Sequence, residues 1–131
     1  MAETSLKVLI VDDDKFLVDL YTRKFILHKY EVTAAGSGAE ALAKLREGYL
    51  PDIVLLDVIM PAMDGLEVLS EIRKQDYAPS ATYIILSNQG QQSEIGKAEQ
   101  LGIAGYIVKA STIPSEVLKM VERIYTDHKK K

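Results

Sequence analysis

The sequence contains no cysteine and no long apolar run. The missing thiols exclude disulfide frameworks, thiolate zinc sites and cysteine nucleophiles. The longest apolar stretches, Leu6 to Val11 and Ile53 to Leu56, are far shorter than the roughly 20 residues that a membrane-spanning helix needs. The amino-terminal residues lack the basic start and apolar run of a secretory signal. We therefore expect a cytoplasmic protein that does not insert into a membrane.

An excess of basic charge is absent as well. With 16 Lys and Arg against 19 Asp and Glu, the net charge is −3, which argues against direct binding to nucleic acid. The length of 131 residues is that of one typical domain, and no linker, repeat or low-complexity segment interrupts it. We expect one domain over residues 1–131, with a core at about 5–126 and a frayed basic tail at 127–131.

Short apolar runs alternate five times with longer amphipathic stretches, which is the pattern of repeated βα units. The run Ile53 to Leu56 is apolar on both faces, and a strand tolerates this only where helices cover both sides of a parallel sheet. The pattern therefore predicts an α/β fold with a doubly wound parallel sheet. The predicted strands are Leu6 to Val11, Glu31 to Ala35, Asp52 to Leu56, Thr82 to Ser87 and Ala104 to Val108.

Five helices are predicted between and after these strands. The first has an apolar stripe at helical spacing, formed by Phe16, Leu17, Leu20, Lys24 and Leu27. Ser37 followed by Glu40 is the pattern of a capping box and opens the second helix. The other four helices are predicted at Ala39 to Arg46, Leu66 to Lys74, Ser93 to Leu101 and Pro114 to Tyr125.

Chemically reactive side chains collect where the predicted strands end, which is where open α/β sheets place their sites. They are Asp12, Asp13 and Asp14 after the first strand, Asp57 at the end of the third, Ser87 at the end of the fourth and Lys109 at the end of the fifth. If the strand order is 2-1-3-4-5, the first and third strands are neighbours. Asp12, Asp13 and Asp57 then share one cleft, and Asp14 is expected to cap the first helix.

Clustered carboxylates repel one another, so this cluster implies a bound cation. Oxygen ligands without a nearby His or Cys suit a hard divalent ion, above all Mg²⁺. Lys109 supplies a further positive charge. A carboxylate beside Mg²⁺, a lysine and a hydroxyl has the components that an aspartyl phosphate needs.

At these residues the chain resembles the receiver domains of response regulators, in a layout nearest to the stand-alone chemotaxis type. The resemblance spans about the whole chain, and its motifs follow one another in the right order. They are Val11-Asp12-Asp13-Asp14, the segment from Leu55 to Gly65, Leu86-Ser87 and Gly105-Tyr106-Ile107-Val108-Lys109. The resemblance implies a flavodoxin-like (βα)5 three-layer sandwich with the strand order 2-1-3-4-5.

The resemblance also implies a phosphorylation site. Asp57 is expected to accept a phosphoryl group from a sensor histidine kinase or a phosphotransfer protein. Mg²⁺ is expected to bind Asp13, Asp57 and the backbone carbonyl of Ile59 directly, and Asp12 through a water molecule. The chain is then a stoichiometric phosphoacceptor with self-dephosphorylation at most, and not a turnover enzyme.

The resemblance also implies that two residues, Ser87 and Tyr106, change position when the chain is phosphorylated. Ser87 is expected to donate its hydroxyl to a phosphoryl oxygen while Lys109 pairs with the phosphate. Tyr106 is expected to turn inward as Ser87 moves. This movement changes the face made by helix 4, strand 5 and helix 5, which controls a downstream protein partner. The chain is expected to be a monomer or a phosphorylation-dependent dimer.

The sequence departs from the family pattern at two positions, Ala110 and Asn88, and a third residue, Gly105, bears on the type of receiver. Ala110 follows Lys109 where receivers usually have a proline in a cis peptide, and a cis bond to alanine costs about 3 to 4 kcal/mol, so both isomers stay open. Asn88 replaces a small residue and bears on kinase preference and phosphate lifetime. Gly105 replaces an acidic residue common in DNA-binding receivers, which favours a stand-alone regulator.

Three other functions have some support in the sequence. The segment Gly36 to Ala41 matches the dinucleotide pattern G-x-G-x-x-A, but it follows the second strand and no substrate domain accompanies it. A Mg²⁺-dependent phosphatase with an aspartyl nucleophile has a second acid two residues after the nucleophile, where this chain has Ile59. A receiver-like scaffold that has lost phosphorylation is favoured only by Asn88 and Ala110.

Overall fold

The computed structural model describes residues 5–87, 92–109 and 113–130. These residues form one parallel sheet with the strand order β2-β1-β3-β4-β5, so the predicted doubly wound α/β fold is confirmed. The strands are β1 (Lys7–Val11), β2 (Glu31–Ala35), β3 (Ile53–Asp57), β4 (Thr82–Ser87) and β5 (Gly105–Val108). The helices are α1 (Lys15–Leu27), α2 (Gly38–Arg46), α3 (Gly65–Gln75), α4 (Gln92–Gln100) and α5 (Pro114–Lys129).

Side-chain alternation along the strands divides the core into two layers. In β1, Val8 and Ile10 pack on one face of the sheet and Leu9 and Val11 on the other, and all four are fully buried. The core on the Leu9 face includes side chains of α2, α3 and α4, and the core on the Val8 face includes side chains of α1 and α5. Strands covered on both faces have no solvent-facing side, which explains the continuous apolar runs in the sequence.

Strand register positions the carboxyl edge of the sheet. Val11 of β1 lies beside Leu56 of β3 in the parallel ladder. The next residue in each chain segment is an aspartate, so Asp12 and Asp57 emerge side by side at this edge. Lys109 follows β5 at the same edge, with β4 between β5 and β3.

The buried face of α1 differs from the predicted stripe. Phe16 and Leu27 are 72% and 74% exposed, so these two members of the predicted stripe lie outside the core, whereas Leu17 packs against it. The buried side chains are Tyr21 and Phe25, one helical turn apart. The Phe25 ring packs edge to face against Tyr30 at a centroid distance of 5.1 Å, which turns this side of the helix toward the sheet.

The predicted cap at the start of α1 is confirmed, and the predicted capping box at the start of α2 is only half formed. Asp14 Oδ1 accepts hydrogen bonds from the backbone amides of Phe16 and Leu17, so Asp14 caps α1 as predicted. At α2, Ser37 Oγ accepts from the amide of Glu40, but the Glu40 carboxylate accepts from Gly36 instead of returning to Ser37. A complete capping box stands at the start of α3, where Asp64 and Glu67 bind each other's backbone amides.

The fifth helix is longer than predicted. It continues four residues beyond Tyr125, to Lys129, through part of the segment that was expected to fray. His128 Nδ1 lies 2.7 Å from Thr82 Oγ1, and the Lys129 ammonium donates to the Ser80 carbonyl at 2.9 Å. These contacts hold the end of the helix against the amino-terminal edge of β4. No helix among the described residues is long and apolar enough to cross a membrane.

Candidate functional site

Three aspartates meet at the carboxyl edge of the sheet. Asp12 and Asp13 follow β1, and Asp57 is the last residue of β3. One carboxylate oxygen from each of the three lies within 4.8 Å of the others. Asp12 and Asp57 are buried and Asp13 is exposed, so the cluster is open to solvent on the side of Asp13. The predicted meeting of these residues across β1 and β3 is therefore observed.

Lys109 reaches this cluster from the end of β5. Its ammonium lies 3.1 Å from Asp12 Oδ2 and 3.1 Å from Asp57 Oδ1. The other Asp12 oxygen accepts a hydrogen bond from the Asp14 amide at 3.0 Å. Both oxygens of Asp12 are therefore engaged, and this carboxylate is fixed in orientation.

The charges of the site are only partly compensated, because three carboxylates face one ammonium. Burial, followed by the charge of Asp12, raises the pKa of Asp57 from 3.8 to about 6, although Lys109 opposes this rise. Burial by itself would lower the pKa of the Lys109 ammonium, but the charges of Asp57 and Asp12 outweigh it and the pKa is raised. The site thus favours the charged form of Lys109 and disfavours the ionised form of Asp57.

Asp57 Oδ1 is buried, and its partner is the Lys109 ammonium, with which it forms an ion pair at 3.1 Å. One ammonium does not compensate three clustered carboxylates, and uncompensated buried charge is costly unless a ligand completes the site. All-oxygen ligands of this kind suit a hard divalent cation. The cluster therefore fits a divalent cation such as Mg²⁺.

The loop after β3 is shaped by close backbone contacts. The Gly65 amide donates to the Val58 carbonyl at 2.7 Å, which brings the start of α3 against the end of β3. Ala62 has a positive φ of 69°, within a tight turn in which the Met63 amide donates to the Pro61 carbonyl at 2.7 Å. The turn and the close contact hold the segment that contains Ile59, whose side chain is 56% exposed.

Of the remaining predicted residues that the structure describes, Ser87 lies at the same edge of the sheet and Tyr106 lies within β5. Ser87 ends β4 and is paired with Val108 of β5, while its side chain is outside the part that the structure describes. Tyr106 lies in β5 with its side chain 43% exposed, so it faces outward. Asn88 and Ala110, and with Ala110 the question of the Lys109-Ala110 peptide isomer, also lie outside the described residues.

A doubly wound sheet with an acidic cluster and a lysine at its carboxyl edge defines a class of proteins, and comparison with known sequences identifies it. The sequence model named response regulator receiver domain matches residues 8–122. The chain therefore belongs to the response regulator receiver domain family, as the resemblance indicated.

Known relatives narrow the type of receiver. The chemotaxis protein CheY of Listeria monocytogenes is 44% identical over 105 residues, which are 79% of this chain and 86% of that protein. The chemotaxis protein CheY of Halobacterium salinarum is 37% identical over 110 residues, which are 83% of this chain and 88% of that protein. The solved structure of a CheY-like receiver domain protein from Methanospirillum hungatei superposes with a TM-score of 0.86 and 26% identity, over 97% of this chain and 98% of that one. The chain is a receiver domain of the CheY type.

Proposed function

We propose that the chain is the phosphoacceptor of a two-component phosphorelay and that Asp57 receives the phosphoryl group. The observation that supports this most directly is the buried Asp57 carboxylate, whose Oδ1 lies 3.1 Å from the Lys109 ammonium. This oxygen is a nucleophile that lies beside a fixed positive charge. Its neighbours Asp12 and Asp13 complete a cation site of the kind that phosphoryl transfer uses.

The transfer step requires a nucleophile and charge neutralisation. An Asp57 oxygen forms a bond to phosphorus while the phosphorus–nitrogen bond of a phosphohistidine breaks, and the imidazole keeps the electron pair of that bond. Lys109 stabilises the negative charge on the phosphoryl oxygens, and Ser87 donates its hydroxyl to one of them. The raised pKa of Lys109 keeps the ammonium protonated throughout.

The acidic cluster would hold the metal during this step. Asp13, Asp57 and the backbone carbonyl of Ile59 would hold Mg²⁺ directly, and Asp12 would act through a water molecule. When bound, Mg²⁺ neutralises part of the charge of the carboxylates and of the incoming phosphoryl group. A bound cation would thereby offset the burial and the charge of Asp12, which together raise the pKa of Asp57.

The phosphoryl group acts as a switch. It adds about −1.5 to −2 charges at pH 7, which is sufficient to bias an element that has two arrangements a few kcal/mol apart. Ser87 moves toward the phosphoryl group and Tyr106 turns inward from its exposed position. The face made by α4, β5 and α5 then binds a downstream protein partner. The chain thus serves as a signalling module that is not a turnover enzyme.

Intact-mass spectrometry after incubation with acetyl phosphate tests this function. The wild-type protein is expected to gain one phosphoryl group with Mg²⁺ and none without it. The Asp57→Asn variant is expected to gain none, because the nucleophilic oxygen is replaced by an amide.

Asp14→Asn is the matched control for this experiment. Asp14 lies in the same acidic run but caps α1, and asparagine is an equally good cap, so this variant should be labelled like the wild type. A stable adduct on Asp57→Asn would contradict the assignment of Asp57. No adduct on a folded wild-type protein would instead support a receiver-like scaffold without phosphorylation.

The Asp13→Ala variant is expected to lose Mg²⁺ affinity by about tenfold or more, since it removes the exposed ligand of the cluster. Isothermal titration calorimetry of Mg²⁺ binding measures this effect. Asp19→Ala serves as the control, because Asp19 is an exposed acid on α1 that pairs with Arg23. Equal affinities of Asp13→Ala and the wild type would refute the proposed ligand.

A further inference from the structure

Tyr21 is a buried polar side chain that the proposed mechanism does not use. It lies in α1, two helical turns after Asp14, which caps the helix, and it is 2% exposed. Among the described side chains buried in the same core layer, it alone has a polar atom, because the others are valine, isoleucine, leucine and phenylalanine. A hydroxyl in such a layer costs free energy unless it has a polar or charged neighbour.

The charged groups of the candidate site project into this same layer. Side chains alternate between the two faces of a strand, so Asp57 points to the same face as Leu55, which belongs to the layer packed by α1 and α5. The hydrogen bonding of β1 to β2 continues through the Asp12 amide, so Asp12 shares the face of Ile10 in that layer. Lys109 contacts both carboxylates and therefore lies on the same side of the sheet.

The geometry of α1 directs Tyr21 toward these groups. Side chains of an α-helix tilt toward its amino end. The amino end of α1 is Lys15, directly after the acidic run at the carboxyl edge of the sheet. The Tyr21 ring therefore points from the core toward the site. Phe25, one turn later, packs instead against Tyr30, which precedes β2 at the opposite edge.

The electrostatic environment of Tyr21 agrees with this placement. Burial has the largest effect on the pKa of the phenol and raises it, so the hydroxyl is neutral at pH 7. Among the charged groups, Lys109 has the largest effect and opposes the rise, whereas Asp12, Asp14 and Asp57 add to it. A neutral hydroxyl near these charges orients its dipole in their field, with its oxygen toward the ammonium.

The Lys109 ammonium needs support that does not depend on the carboxylates. It lies at the end of a long flexible stem, and its described contacts are the oxygens of Asp12 and Asp57 at 3.1 Å. In the proposed reaction Asp57 loses its charge when the phosphoryl group is attached, and Asp12 faces the metal. A neutral hydroxyl is unaffected by either change and suits this role.

We infer that Tyr21 is a positioning residue whose hydroxyl dipole stabilises the Lys109 ammonium at the site, so that Lys109 is directed toward the phosphoryl group on Asp57. Tyr21 acts from the side of α1, and the carboxylates act from the edge of the sheet. The effect on phosphorylation rests on the proposed function. The interaction between hydroxyl and ammonium belongs to the unphosphorylated protein and can be tested separately.

Nuclear magnetic resonance of the unphosphorylated protein tests the interaction. In Tyr21→Phe, which keeps the ring that fills the core, the ¹³C signal of the Lys109 ε-methylene is expected to shift from its wild-type position. The loss of this signal in Lys109→Arg assigns it. Tyr30→Phe is the matched control and should leave the signal in place, because Tyr30 packs against the same layer but its hydroxyl donates to Glu122 at 3.2 Å. An unmoved signal in folded Tyr21→Phe would overturn the inference.

The rate of phosphorylation tests the effect on the site. With acetyl phosphate and Mg²⁺, Tyr21→Phe is expected to gain its phosphoryl group about fivefold more slowly than the wild type, an effect comparable to the loss of one hydrogen bond. Tyr30→Phe should keep the wild-type rate. Intact mass recorded over time measures both. Equal rates of Tyr21→Phe and the wild type would overturn the positioning role. A wild type that gains no phosphoryl group would contradict the proposed function, and the Lys109 signal would then decide the interaction by itself.

Mg²⁺ affinity separates positioning from a general disturbance of the site. Tyr21 is not one of the three clustered aspartates, so calorimetry should give the same Mg²⁺ affinity for Tyr21→Phe and the wild type. A slower rate with unchanged Mg²⁺ affinity and a shifted Lys109 signal is the result that supports the inference. A joint loss of rate and of Mg²⁺ affinity would contradict it, because the substitution would then disturb the acidic cluster itself.

Discussion

At pH 7 and without Mg²⁺, the Asp57→Asn variant is expected to be more stable than the wild type by about 1 to 3 kcal/mol. Burial and the charge of Asp12 raise the pKa of Asp57 from 3.8 to about 6, so the folded state disfavours the ionised carboxylate. Asparagine has a similar shape and no charge. The substitution that abolishes phosphorylation should therefore stabilise the fold.

The pH dependence of this effect has a definite sign. The folded state of the wild type binds a proton at Asp57 more tightly than the unfolded state does, so wild-type stability falls as the pH rises from about 4 to about 6. The loss that Asp57 causes is complete about one pH unit above this pKa, near pH 7. The variant lacks this ionisation, so its advantage should be largest at pH 7 and should disappear near pH 4. Urea unfolding at several pH values measures the difference.

Two comparisons make this prediction specific to the site. Asp19→Asn alters an exposed acid, and its effect should stay within about 0.5 kcal/mol at every pH. Added Mg²⁺ should stabilise the wild type more than Asp57→Asn, because a ligand stabilises the state that binds it. An advantage of Asp57→Asn that is the same at pH 4 and pH 7 would contradict the charge-based explanation.

Gly65→Ala is expected to lower the free energy of unfolding by about 2 to 4 kcal/mol. A Cβ at this position would lie 2.2 Å from the Asp57 carbonyl oxygen and 2.9 Å from its carbonyl carbon. Both atoms belong to the backbone of β3, which cannot move aside as a flexible side chain can. The start of α3 or the end of β3 must shift, and either shift displaces the acceptor residue. Urea unfolding and the acetyl phosphate assay together measure the effect.

Gly96→Ala provides the matched control because it makes the same chemical change where no atom lies within 4 Å. It should raise the free energy of unfolding by up to about 1 kcal/mol, since alanine favours a helix. The two substitutions are thus expected to have opposite signs. A Gly65→Ala protein that unfolds at the wild-type urea concentration would show that the contact with β3 is not required.

Much of the fold could be predicted from local sequence patterns. The predicted strand bounds, and those of α2 to α4, lie within one residue of the observed ones. Apolar runs such as Ile53 to Leu56 are short and continuous, which only buried strands of a parallel sheet allow. The positions of Asp12, Asp13 and Asp57 at the carboxyl ends of strands were predictable for the same reason, whereas their meeting in one cleft required the strand order 2-1-3-4-5. The strand order, however, came from the resemblance to receiver domains.

The sequence was less informative where an element has more than one apolar face. In α1, the stripe with Phe16 and Leu27 has helical spacing, but so does the pair Tyr21 and Phe25, which the structure buries. Spacing alone cannot rank two faces of one helix, because burial depends on which face the sheet and the neighbouring helix cover. The complete capping box formed by Asp64 and Glu67 at the start of α3 was likewise not predicted.

The sequence by itself determined the class of fold, the edge of the sheet at which the site lies and the residue types that form it, because these follow from periodicity and from residues adjacent in the chain. Only the tertiary structure decided that Lys109 contacts both Asp12 and Asp57, that Gly65 lies against β3 and that the Arg73 guanidinium donates to the carbonyls of Leu101 and Gly102. These contacts join residues that are distant in the sequence. Their geometry depends on how whole strands and helices pack, and no local pattern of residues encodes that packing.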